Sequence, residues 1–143
     1  MMLLPRRRVL IGAGGVLLAG LAPARATEEQ VAALIGALVG EARLAPGRVK
    51  LDLPLLVENG NAVAMTVGVK GKYEVQSLHV FAERNPLPNV ANFMFGPRSG
   101  RPRVSTRIRL ATSQTVIAIA KMSDGSCWSD SVDLLVTLAA CIE

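Results

Sequence analysis

The sequence predicts a mainly β protein, an antiparallel β-sandwich preceded by one α-helix. Two observations carry that expectation. A single stretch, near residue 30, spaces its apolar side chains for a helix. From Lys50 onward, short alternating or wholly apolar runs return roughly every ten residues between clusters of Gly, Pro, Asn, Asp and Ser. No second helical pattern exists for the first to pack against, so sheet layers must bury one another.

The first 26 residues precede that domain and read as a cleavable export signal. Arg6, Arg7 and Arg8 form a basic start, Val9 to Leu21 an apolar run, and Ala24-Arg25-Ala26 a small-residue cleavage site. The apolar run, about thirteen residues, is too short to span a bilayer as a helix, and no membrane partner is expected. The adjacent arginines and the glycine-rich, mildly hydrophobic run favour twin-arginine export. Pro5 and Val9 stand where that motif prefers Ser or Thr and Phe, so an ordinary signal with extra arginines stays open. Thr27 then begins a mature chain of one domain, residues 27–143, outside the cytoplasm.

Cleavage alters the charge. The precursor is +5, with 16 Lys+Arg against 11 Asp+Glu. Arg6, Arg7, Arg8 and Arg25 leave with the signal and no acid does, which brings the mature chain to +1. A near-neutral domain with few aromatic residues argues against a nucleic-acid partner.

Thr27 can cap a helix with Glu28 and Glu29 in its first turn and Gln30 completing a capping box. Val31, Leu34, Ile35, Leu38 and Val39 make one apolar face. Ala45-Pro46-Gly47 is expected to end the helix after about fifteen residues. Strands are expected over 62–69, 75–83, 90–95, 103–110, 115–122 and 128–138, the fifth apolar on both faces as a central strand should be. Ser123-Asp124-Gly125-Ser126 is a hairpin turn.

Autonomous catalysis finds little support. The single histidine, His79, sits between Leu78 and Val80 and reads as a surface or internally satisfied imidazole. The acids are dispersed, and no phosphate-binding loop opens a helix. No metal or cofactor is expected. Arg103, Arg107 and Arg109 fall with Ser105 on one face of their strand. Such a stripe could meet an anion or an acidic partner, or form a solvated, edge-protecting face.

Two cysteines remain, Cys127 and Cys141. Residues 131–138, if extended, span about 26 Å at ~3.3 Å per residue. A disulfide needs α-carbons about 5.5 Å apart, so an intrachain bridge is not expected. Cys127 reads as a packed or partly exposed thiol beside the hairpin turn. Cys141, the third residue from the C-terminus, reads as a free thiol that calls for a role in an exported chain, or as an unselected terminal cysteine. A Cys-x-x-Cys pair is missing, which argues against a thiol oxidoreductase.

Three runs resemble the SoxY family, the carrier subunit of periplasmic thiosulfate oxidation. They are Phe81-Ala-Glu-Arg-Asn-Pro86-Leu-Pro88-Asn-Val-Ala-Asn-Phe93, Val104-Ser-Thr-Arg-Ile-Arg-Leu-Ala111 and Met122-Ser-Asp-Gly-Ser126. The resemblance implies an immunoglobulin-like sandwich and a heterodimer with a signal-less SoxZ-like subunit. It also implies a C-terminal arm, residues 139–143, whose Cys141 carries sulfur species covalently. Periplasmic haem and hydrolytic or dehydrogenase enzymes would then act on the arm, and the chain itself would not be an enzyme. A typical arm flanks its cysteine with two glycines on each side; here Ala139, Ala140, Ile142 and Glu143 stand there. Each glycine lost narrows the arm's backbone choices, worth roughly 0.5–1 kcal/mol. Ile142 adds an apolar anchor. Glu143 and the terminal carboxylate disfavour a thiolate at Cys141, so a partner is expected to supply the activating positive charge. The alternative is a non-carrier adaptor that docks the partner and uses Ile142 as a plug.

Overall fold

The computed structural model describes residues 26–138. The export signal expected over 1–26, Ala26 apart, and the arm residues 139–143 lie outside the described residues.

Helix α1 (Glu28–Val39) starts as the sequence requires: the Thr27 side chain accepts from the Gln30 backbone, and the Gln30 side chain accepts from the Thr27 backbone. It is shorter than expected. Gly40, at φ 64°, caps it after 12 residues, because glycine, with no Cβ, adopts positive φ without steric cost. The Ala45-Pro46 pair, expected as a helix stop, instead belongs to a short strand, β1 (Leu44–Pro46). Val31 is buried, Ile35, Leu38 and Val39 are half-buried, and Leu34 is exposed.

Eight further strands follow: β2 (Val49–Asp52), β3 (Leu56–Val57), β4 (Val63–Val69), β5 (Val75–Ala82), β6 (Asn89–Met94), β7 (Arg103–Ile108), β8 (Gln114–Met122) and β9 (Cys127–Val136). The larger sheet runs β1-β9-β8-β5-β6, with β3 added to β9, and the smaller runs β2-β4-β7. Most pairings are antiparallel as expected. The exceptions are β1 and β3, which lie parallel to β9 along successive parts of its outer edge. Gly47 and Arg48, both at positive φ, turn the chain from β1 in the large sheet to β2 in the small one.

The core lies between the sheets. Val116, Ala118, Ala120 and Met122 of β8 lie beside Leu78, Val80 and Ala82 of β5 in one layer, and Val63, Met65 and Val67 of β4 line the other. As expected, β8 is central, and Ile119 on its other face is also fully buried. The predicted hairpin turn joins β8 to β9: Gly125 takes φ 88°, and Asp124 Oδ1 accepts from the Ser126 amide at 2.9 Å and hydroxyl at 2.6 Å.

Candidate functional site

The end of β9 is tied down residue by residue. Leu135 N donates to Leu55 O at 2.9 Å, and Val136 N to Ser113 Oγ at 2.9 Å. Thr137 N donates to Val57 O at 2.9 Å. Gly60 then links two layers, donating to Leu138 O at 2.8 Å and accepting from Leu110 N at 2.8 Å. Leu138, the last described residue, is thus held between the 58–61 turn and the end of β7. Cys141 lies three residues further along. Covalent geometry alone keeps its α-carbon within about 11 Å of that of Leu138, whatever path the chain takes.

Exposed leucines lie on the segments bonded to the end of β9. Leu55, Leu56, Leu135 and Leu138 are each 60% exposed or more, and Leu56 sits beside Leu135 in the β3–β9 register. Solvated aliphatic groups clustered at one place mark a contact surface. Sequence reasoning missed this collar, because β3 has two residues and gives no periodicity; the adjacent Leu55-Leu56 pair after Pro54 was the available signal.

Arg103, Arg107 and Arg109 are all exposed, on one face of β7 and its extension. They line a path rather than a point. Arg103 lies opposite Gly68 and Arg107 opposite Ala64. Arg109 precedes Leu110, whose amide reaches Gly60 at the root.

Cys127 begins β9, is 1% exposed and is a free thiol. Burial pushes it up from the usual thiol range, Asp124 adds to the shift, and Lys121 opposes it. The unbroken β9 runs ten residues, about 30 Å, and separates Cys127 from the root. His79 is buried, not on the surface, and is internally satisfied. Its Nδ1 pairs with Asn92 Oδ1 at 2.7 Å and its Nε2 with Ser77 Oγ at 2.8 Å. Among the described residues, no group of three or more His, Cys, Asp or Glu converges as metal ligands.

The fold is an immunoglobulin-like sandwich whose chain is anchored as far as Leu138, and the sequence places Cys141 three residues beyond that point. The family model of the sulfur oxidation protein SoxY matches residues 35–141, from the helix to Cys141. This chain belongs to that family. Among solved structures, the sulfur carrier protein SoxY from Chlorobium limicola f thiosulfatophilum superposes with a TM-score of 0.67 at 24% identity, covering 77% of this chain and 98% of that one. A superoxide reductase (neelaredoxin) from Ignicoccus hospitalis gives a TM-score of 0.56 at 18% identity, over 64% of this chain and 82% of that one. A putative superoxide reductase from Thermotoga maritima gives 0.55 at 18%, over 69% and 89%. These likenesses are of fold. No curated protein sequence matches.

Proposed function

We propose that this chain is a covalent carrier of sulfur species of the thiosulfate-oxidation type, with Cys141 as the point of attachment. On this reading it works in the periplasm after twin-arginine export, paired with a SoxZ-like subunit. Haem and hydrolytic or dehydrogenase enzymes load and unload it, and the chain has no catalytic residue of its own. The observation that carries the reading is the anchored root: the fold fixes the chain to Leu138, and the sequence puts a thiol three residues beyond it. Membership of the SoxY family supports it, and the matched segment ends at Cys141.

Loading with thiosulfate would join Cys141 Sγ to the outer sulfur of the anion. The thiol loses its proton, and the new S–S bond releases two electrons that the haem partner must accept. Hydrolysis of the terminal sulfonate consumes water, releases sulfate with two protons and leaves a persulfide anion on Cys141. Neither step asks for a group that this domain lacks, because the oxidant and the hydrolase belong to partners.

The test is the intact mass of the chain isolated from its native periplasm, with and without reductant, beside Cys141→Ser. Added mass that reductant removes and that is missing in the variant supports the carrier, and its size names the cargo. An unmodified Cys141 while sulfur oxidation runs would instead favour the adaptor.

A further inference from the structure

We propose that the solvent face of the small sheet is a docking trough for an extended acidic segment of a partner protein. The shape follows from register. Gly68, Thr66 and Ala64 of the middle strand β4 form the floor, with Lys50 and Asp52 of β2 on one side and Arg103, Ser105 and Arg107 of β7 on the other. Small residues run down the centre and long ones along both walls. A Cβ at position 68 would come within 3.3 Å of the Arg103 side chain and of Pro102 O, so glycine keeps the floor low where Arg103 lies closest. At this end the trough widens into a cleft of about 790 Å³, closed by the 70–74 loop and by Arg101.

Its charge selects the occupant. The cleft is lined by five cations, Lys50, Lys70, Lys72, Arg101 and Arg103, against two acids, Asp52 and Glu74. Residues 26–138 hold 12 Lys+Arg and 10 Asp+Glu in all. Outside the cleft, seven cations therefore face eight acids, and the excess positive charge of the domain is concentrated here. All five cations are exposed, and among the described residues no ion pair neutralises them. Like charges held together without partners are poised for a complementary surface and speed its capture.

The spread of the charges separates the candidate ligands. A small oxyanion needs donors converging on one point, usually with a buried polar group among them. Here the cations come from three separate segments, all of them exposed. An extended chain bearing carboxylates on alternate residues presents them all on one face, toward such a row. Among the described residues β7 pairs only with β4, which leaves its outer edge open to a further strand. The trough does not depend on Cys141, so this proposal and the carrier reading stand or fall separately.

The test uses the mature full-length chain, labelled with ¹⁵N and titrated with an acetylated Glu-Val-Glu-Val-Glu-Val-Glu peptide at low salt. Amide shifts are expected to cluster at Ala64, Thr66, Gly68 and Ser105, and Cys141→Ser should give the same map. Lys50→Glu with Arg103→Glu should weaken binding roughly tenfold or more. The matched reversal, Arg43→Glu with Arg84→Glu, should change it less than twofold. If the first pair disturbs the unfolding transition, Lys50→Gln with Arg103→Gln reads the same loss at smaller amplitude. Shifts outside the trough, no binding, or equal weakening by both reversals would overturn the proposal. Reproduction of the same shifts by sodium sulfate at matched ionic strength, or tighter binding to phosphatidylglycerol vesicles, would likewise overturn it in favour of a small-anion or membrane site.

Discussion

Asn85, in the first of the three runs that resemble the SoxY family, acts as a structural hub. It is 4% exposed; its Nδ2 donates to Arg109 O, and its Oδ1 accepts from Ala111 N and Gln114 Nε2, all at 2.9 Å. That one amide fastens the end of β5 to the chain leaving β7. Asn85→Ala would strand two polar groups, Arg109 O and Ala111 N, each costing on the order of 1–3 kcal/mol if it stays dry, while Gln114 Nε2 keeps its bond to Thr112 O. A loss of about 3 kcal/mol is expected after partial rescue by water, read as a lower urea midpoint at unchanged m-value. Asn85→Asp should not restore it, because an oxygen would then face Arg109 O. Cys127 gives a second prediction. Its thiol is raised by burial, so the folded state holds its proton more tightly than the unfolded chain does. Stability from this group is complete below the ordinary thiol range and falls as pH rises through it, since the unfolded thiol ionises first. In a Cys141→Ser background, iodoacetamide should modify Cys127 only as fast as the fold opens. Rapid labelling of native protein would contradict its burial.

Among the elements, those readable in the sequence were the ones long enough to show a period. The strands β4 to β9 have six residues or more, and each falls within two residues of its expected bounds. By contrast β1 and β3, with three and two residues, are strands only because β9 offers its edge to them, a condition no local pattern encodes. Pro46 reads equally as a helix stop or as the end of an edge strand, where a missing N–H costs nothing. The crossover beyond it is braced by an aromatic stack: the Arg48 guanidinium lies 4.3 Å from the Tyr73 ring centroid and 4.0 Å from that of Trp128. Gly71 makes room for that stack. It takes φ 87°, and a Cβ there would sit 2.9 Å from Tyr73 Cε2. Gly71→Ala should therefore cost about 1–3 kcal/mol through backbone strain and a displaced ring. Intrinsic fluorescence of Trp128, the single tryptophan, should shift in the folded variant as the stack loosens.

At the scale of the whole molecule, the functional end was legible in part. A cysteine just past the last apolar strand is visible in the residues, whereas the collar and the trough draw on strands distant in sequence that only register brings together. The geometry then makes reach the quantity that separates a carrier from an adaptor. With Leu138 held by Gly60, the span available to Cys141 depends on how many residues intervene. Deleting Ala139 and Ala140 would cut it from about 11 Å to about 4 Å, holding the thiol next to the anchored Leu138. Gly60 and Thr137 would keep their bonds, so the unfolding transition should not move. A carrier must bring its thiol into an enzyme's site, and the shortened chain should lose most of its reductant-labile cargo while its thiol still reacts with a small alkylating reagent. Inserting Gly-Gly in place of the deleted pair should restore the cargo, since it returns the span along with the glycine backbone freedom this arm otherwise lacks. Equal loading of the short and full-length arms would show that Cys141 is met at the surface of the domain, and the reaching-arm mechanism would have to be abandoned.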